Sequence, residues 1–285
     1  MLKKCLRSKS QFKGECNAKL RMGSFNHACF SSSDFLFANH RGESESQSAH
    51  ELSVLAECFV RMESAGLACC SFRSIGNSGE AQMIKTIIDV PYQSGQSAWT
   101  GHFGFAQRLV RDFRPTSIVE LGVQYGDSYF CMTHAVKHFD TGTSCTAVDT
   151  WNGDMHTGLY DGSVFSQVSK QNEKYSEFSS LLRMPFDKAA EYFDENDISV
   201  LHIDGYHTYD AVKHDYETWN DKVRDIIMFH DTHVFHGDFG VYKFWEELCR
   251  EFPSSTFEFA HSSGLGILCK NNDAYTAVKN IIKGD

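Results

Sequence analysis

The residues best equipped for chemistry lie in two short segments, Leu201-His202-Ile203-Asp204-Gly205-Tyr206-His207 and Met228-Phe229-His230-Asp231-Thr232-His233. Each closes an apolar, β-branched run with an aspartate. On neighbouring parallel strands, Asp204 and Asp231 would share one rim. There they could hold a divalent cation between them or flank a proton-transferring His207. Hard oxygen ligands favour Mg²⁺ or Ca²⁺ with several waters retained. A rim rich in His and Asp also suits zinc or iron, and the order D-G-x-H then H-D-x-H offers enough ligands, but no H-E-x-x-H spacing is present. One such aspartate alone would read as a helix cap. Two, each with histidine beside it, read as a site. His202, His214 and His236 are assigned to ordinary core or surface roles.

A second group precedes these: Glu120-Leu121-Gly122-Val123-Gln124-Tyr125-Gly126-Asp127-Ser128. A strand that ends at a glycine turn and passes into a helix lets backbone N–H groups approach a ligand. The pattern is E-x-G-x-x-x-G, not G-x-G-x-x-G. A pyrophosphate would be repelled by the adjacent carboxylate, whereas a cationic ligand bearing an amino acid could use Glu120 as an acceptor for its ammonium group. Further on, Asp149 closes Ala147-Val148-Asp149-Thr150-Trp151, where an acidic side chain suits a grip on two ribose hydroxyls. Trp151 could pack on the rim of that site or in the core.

These residues need elements to position them. Apolar runs recur at Ser117-Leu121, Cys145-Asp149, Phe178-Arg183, Ile198-Asp204 and Arg224-His230. Helical patterns lie between or after them at Asp127-Phe139, Val164-Asn172, Phe186-Phe193, Tyr209-Asn220 and Phe239-Phe252. The alternation predicts a mostly parallel sheet covered on both faces. Thr256-Ala260 and Gly266-Lys270 are too close for a crossover helix and should pair as an antiparallel hairpin. An ordinary dinucleotide fold would end in another βαβ unit instead. Upstream, helices are expected over Glu51-Met62 and His102-Phe113, the latter stopped by Pro115.

Composition narrows the class. A formal charge of -10 argues against nucleic acid as a partner, since phosphate binding needs clustered Lys and Arg. No apolar run is long enough to span a membrane. The ten cysteines form no C-x-x-C pair, and Cys131, Cys145, Cys249 and Cys269 fall in apolar segments. That pattern reads as free thiols in a reducing, cytoplasmic compartment. Residues 1–50 are basic, Ser-rich and without periodicity, and read as a disordered tail, with a transit peptide as the alternative. Residues 51–115 read as a helical segment covering the site, and 116–285 as the chemical domain.

Taken together, Glu120-x-Gly122, Ala147-Val148-Asp149-Thr150-Trp151, Leu201-His202-Ile203-Asp204-Gly205-x-His207 and Phe229-His230-Asp231-Thr232 resemble the class I S-adenosylmethionine-dependent methyltransferases. The likeness is closest to methyltransferase domain family 24, a branch often found beside glycosyltransferases. Asp238-Phe239-Gly240-Val241-Tyr242, Trp245-Glu246-Glu247-Leu248 and His261-x-x-Gly264-Leu265-Gly266 extend it over roughly residues 93–270. The resemblance implies a Rossmann-like seven-stranded sheet, mostly parallel, with a C-terminal antiparallel hairpin. It implies S-adenosyl-L-methionine as cofactor, with Glu120, Gly122, Gly126 and Ser128 at its methionine end, Asp149 and Trp151 at the ribose, and Met184 and Phe186 near the adenine. Asp204, Asp231 and Thr232 fall where related catechol-type enzymes bind Mg²⁺, and His207 where those enzymes keep a catalytic lysine. His207 is then expected to be the general base for a hydroxyl on a sugar, glycan or other small acceptor, with Asp204 and Asp231 assisting. A homo-oligomer is compatible with the sequence. The rivals are a nicotinamide-dependent oxidoreductase, a metal-dependent hydrolase or oxygenase, and a non-catalytic nucleoside-binding protein of the same fold.

Overall fold

The computed structural model describes residues 84–284. The basic tail, the expected helix at Glu51-Met62 and the Cys69-Cys70 pair lie outside the described residues. The chain enters through a 3-10 turn at Ala98–His102, the helix α1 at Phe103–Arg108 and a π turn at Leu109–Phe113. Arg114, in the left-handed conformation, ends this run just before Pro115.

A central sheet follows, with its helices between the strands: β1 Ser117–Leu121, α2 Asp127–Phe139, β2 Ser144–Asp149, α3 Gly162–Asn172, β5 Ser179–Arg183, α4 Phe186–Ala190, β6 Ile198–Ile203, α5 Tyr209–Trp219, β7 Val223–His230, α6 Val241–Glu251, β8 Thr256–Phe259, β9 Leu265–Cys269 and α7 Asn272–Lys283. Two-residue strands β3 Gly153–Asp154 and β4 Gly158–Leu159 form a separate small hairpin after β2. The order across the sheet is β5-β2-β1-β6-β7-β9-β8. All pairs are parallel except β7 with β9 and β9 with β8. The seven-stranded, mostly parallel sheet with its antiparallel end is the one the sequence predicts.

Successive strand residues point to opposite faces, and the core divides accordingly. Ile118, Val200, Ile226, Met228 and Ile267 join Trp99, Phe105, Tyr129, Phe130 and Val278 on one face. Val119, Leu121, Leu201, Ile203, Ile227 and Phe229 join Val212, Trp219, Phe244 and Trp245 on the other. Burial on both faces explains why every residue of β6 is buried and why residues 226–229 of β7 are continuously apolar.

Three local features differ from expectation. The helix predicted over Phe186-Phe193 ends at Ala190. α7 was not anticipated: its N-cap Asn271 accepts the Ala274 N–H, and it buries Ala274, Val278 and Ile281 on one stripe. The β3–β4 hairpin also escaped, because two-residue strands carry no periodicity. Its turn is held by Asp154 Oδ1, which accepts N–H bonds from His156 and Thr157 at 2.7 and 2.8 Å. Among the described residues no helix is long and apolar enough to cross a membrane.

Candidate functional site

The parallel strands β1, β2 and β6 end together, and a cavity of about 310 Å³ opens at their carboxyl ends, where open α/β sheets bind ligands. Its floor is the glycine turn. Gly122 has φ +83°, and a methyl group there would sit 1.9 Å from the Asp204 carbonyl oxygen, so only glycine lets β1 pass this close to the end of β6. Gly126, at φ +88°, starts α2 with its Cα facing the Phe130 ring.

Asp149 stands at the end of β2 and lines the cavity. Its Oδ2 accepts the Val123 and Gln124 N–H groups, both at 2.9 Å, and its Oδ1 accepts the Trp151 N–H at 2.7 Å. One carboxylate thus fixes the glycine loop against the second strand. The cavity also takes in Gly122, Gly126, Ser128, Phe186, Asp204 and His207 among the residues singled out from sequence.

Three residues expected at the cofactor do not line this cavity. Glu120 is fully buried and does not line the cavity. Its Oε1 accepts the Ser128 hydroxyl at 2.6 Å, and its Oε2 lies 3.3 Å from His202 Nδ1. Strand alternation places Glu120 on the same face as Ile118, towards α1 and α2, and burial raises its pKa. Trp151 is a core residue, packed on Phe165 with its indole N–H donating to the Gln124 carbonyl at 2.9 Å. Met184 turns into the face that holds Leu121 and Val148, leaving Pro185 and Phe186 at the cavity.

Other lining residues escaped the sequence reading. Tyr206, between Asp204 and His207, was legible in its motif. Ser97, Tyr160, Asp154 and Thr157 carry no local signal; the last two arrive on the β3–β4 hairpin.

Beside the cavity, β6 and β7 bring Asp204, His207, His230 and Asp231 together. His207 Nε2 lies 3.0 Å from Asp231 Oδ2 and 3.6 Å from Asp204 Oδ1. His230 Nδ1 lies 3.3 Å from Asp204 Oδ1 and 3.4 Å from Asp231 Oδ1. Burial works to lower both histidine pKa values, but the two carboxylates outweigh it, raising His207 to about 10 and His230 to about 9. Burial likewise works to raise the Asp204 carboxyl, and the His230 and His207 rings outweigh it and hold it well below the usual carboxylate range. Asp231 has φ +60°, a strained conformation for a residue other than glycine.

Carboxylate oxygens of Asp204 and Asp231 and a nitrogen of His230 all lie within 4.8 Å of one another. Thr232, expected in that set, is buried with its hydroxyl unpartnered and directed at Gly264. His230 Nδ1 adjoins both carboxylates, as His207 Nε2 does from the other side.

Residues 119–232 match the family described as a methyltransferase domain. This segment is similar to a methyltransferase domain. It begins within β1 and ends just past Asp231, so it contains the glycine turn, Asp149 and both rim aspartates. An uncharacterized protein, y4gI, of Sinorhizobium fredii is 44% identical over 174 residues, which make up 60% of this chain and 19% of that protein. The aligned stretch thus spans about a fifth of the curated relative. Among solved structures, the methyltransferase PaMTH1 of Podospora anserina, bound to SAH, is similar to this chain at 16% identity and a TM-score of 0.46, over 60% of this chain and 79% of its own. The O-methyltransferase TomG of Streptomyces achromogenes, in complex with SAM, is similar at 13% identity and a TM-score of 0.43, over 64% of this chain and 83% of its own.

Proposed function

We propose that the protein transfers a methyl group from S-adenosyl-L-methionine to a hydroxyl of a small acceptor, a sugar or glycan first among them. The observation that carries this reading is the shared mouth of β1, β2 and β6. There a glycine turn, the strand-end carboxylate Asp149, Asp204 and His207 line one cavity, and Asp231 stands behind His207 at 3.0 Å. The glycan class rests on the resemblance of the chain to a branch found beside glycosyltransferases. A reducing compartment such as the cytoplasm fits the buried thiols of Cys131, Cys145 and Cys269.

Methyl transfer asks the protein mainly to align the acceptor with the methyl carbon and to take up its proton. The sulfonium brings its own leaving group. Asp149 would grip the ribose hydroxyls, and the Gly122–Gly126 turn would hold the amino-acid end through its backbone. We assign His207 as the proton acceptor, with a condition that the sequence did not reveal. Asp204 and Asp231 hold a proton on Nε2, so the ring acts as a base only after that proton leaves. An acceptor hydroxyl that donates to Asp231 weakens this hold and brings its own proton to the same place.

The donor set also fits a hard divalent cation. His230 Nε2 lies 3.1 Å from the Ser262 carbonyl oxygen. A bond there puts the proton of a neutral ring on Nε2 and aims the Nδ1 lone pair at both carboxylates, the arrangement typical of a ligating histidine. Asp204, His230 and Asp231 would hold the ion, whose chemistry would be to orient and acidify the acceptor hydroxyl.

Calorimetric titration with S-adenosylhomocysteine and with NAD tests the cofactor, and methyl transfer to a panel of glycans and small alcohols tests the acceptor. Saturable binding of S-adenosylhomocysteine and none of NAD is expected. Binding of NAD alone would overturn the reading.

A further inference from the structure

Above the rim, the β3–β4 hairpin and the loop between β7 and α6 meet through side chains that the sequence reading did not connect. His156 Nε2 lies 2.7 Å from Asp238 Oδ1, and His156 Nδ1 lies 3.3 Å from His207 Nδ1. The two imidazoles are near-parallel, with ring centroids 5.5 Å apart and planes inclined by 19°. Phe239 lies against both, at 4.6 Å from His156 and 4.9 Å from His207. On the far side of His207, Nε2 faces Asp231 and Asp204.

The protons in this row can be placed by elimination. An ionised carboxylate only accepts hydrogen bonds, so the proton in the Asp238 contact sits on His156 Nε2. A neutral His156 then presents a lone pair at Nδ1. Two ring nitrogens at 3.3 Å attract only if one of them donates, so His207 Nδ1 carries the hydrogen. In the reverse arrangement, a doubly protonated His156 would donate to a bare His207 Nδ1. That would move the positive charge from a ring between two partly buried carboxylates to a ring beside one exposed carboxylate, where attraction is weaker.

We infer that Asp238 and His156 are positioning residues for His207: they hold its Nδ1–H as a donor and leave Nε2 as the only ring nitrogen that exchanges a proton with the rim. The logic is that of a carboxylate fixing the tautomer of a catalytic histidine, with one more imidazole interposed. It rests on the reading of His207 as the residue that handles the acceptor's proton. Neither His156 nor Asp238 lines the cavity, so their part is separate from holding the cofactor.

The test is nitrogen NMR on the full-length protein labelled with 15N-histidine, with His156→Gln and His207→Gln assigning the two rings among the 14 histidines. In the wild-type protein, His156 is expected to show the neutral Nε2–H pattern. A scalar coupling across the hydrogen bond should join its Nδ1 to His207 Nδ1. Asp238→Lys offers only N–H donors where the carboxylate accepted. It should turn His156 away from the neutral Nε2–H pattern, while S-adenosylhomocysteine affinity stays within about twofold. Absence of the coupling in the wild-type protein, or an unchanged His156 pattern in Asp238→Lys, would overturn the inference. A protein that shows the coupling yet fails to bind S-adenosylhomocysteine would retain the imidazole pair and lose the methyltransferase reading.

Discussion

The indole Nε1 of Trp99 lies 3.1 Å from Nε2 of His202, and both side chains are fully buried. Trp99 precedes the sheet and His202 sits in its middle, on β6, so this bond docks the entering segment onto the central strands. Since indole N–H only donates, His202 Nε2 accepts, and the proton of the neutral ring is on Nδ1, 3.3 Å from Glu120 Oε2. The row Trp99, His202, Glu120, Ser128 is thus a buried polar chain under the glycine turn.

Replacing Trp99 with Phe removes the donor and leaves a buried imidazole nitrogen without a partner. Such a loss costs about 1–3 kcal/mol. Denaturant unfolding of Trp99→Phe should show a fall of that size, with S-adenosylhomocysteine still bound by the folded fraction.

Asp149→Asn keeps the side chain's shape but replaces one acceptor oxygen with a donor, against backbone N–H groups that need acceptors on both oxygens. A lost charge-assisted contact is worth about 1.5–3 kcal/mol, so S-adenosylhomocysteine affinity should weaken by roughly 10- to 100-fold. Calorimetric titration reads this directly. Unchanged affinity would remove Asp149 from the ribose site.

His207→Ala should lower turnover by about 10²–10⁴-fold, the range of a lost general base, with S-adenosylhomocysteine affinity almost unchanged. Equal loss of both would mark His207 as structural. Steady-state methyl transfer with calorimetry separates the two outcomes.

Asp215, on α5, is a buried carboxylate whose pKa burial raises to about 7. The folded state therefore holds its proton more tightly than the unfolded chain. Its relative stabilisation is present below the unfolded value near 4 and is lost as pH rises through about 7. Asp215→Asn, which never ionises, should be more stable than the parent protein at pH 8 by an amount on the order of a few kcal/mol. The gap should close towards pH 4. Thermal melts across that range would show it.

The parts of the molecule that sequence made legible are those written in local periodicity. β6 and β7 are mostly apolar because helices cover both faces of the sheet, and their terminal Asp204 and Asp231 fall on one rim because the strands are parallel and adjacent. Glu120 was read as a ligand contact because its distance along the chain from Gly122 is right. Which face it occupies depends on strand register, and the structure turns it towards Ser128 and His202. The H-D-x-H order offers His230 as one ligand among several, and only the fold, through the Ser262 carbonyl of the β8–β9 loop, distinguishes its two nitrogens. The His156–Asp238 contact joins two loops 82 residues apart, and nothing local to either announces it.

The missing side chain at Gly122 decides which walls of the cavity can vary. With the Asp204 carbonyl pressed against that Cα, β1 and β6 meet there through main chain alone, and no side chain can be introduced at Gly122 without parting the two strands. Room to reshape the cavity lies opposite, where the Gly153–Leu159 hairpin brings Asp154 and Thr157 to its lining.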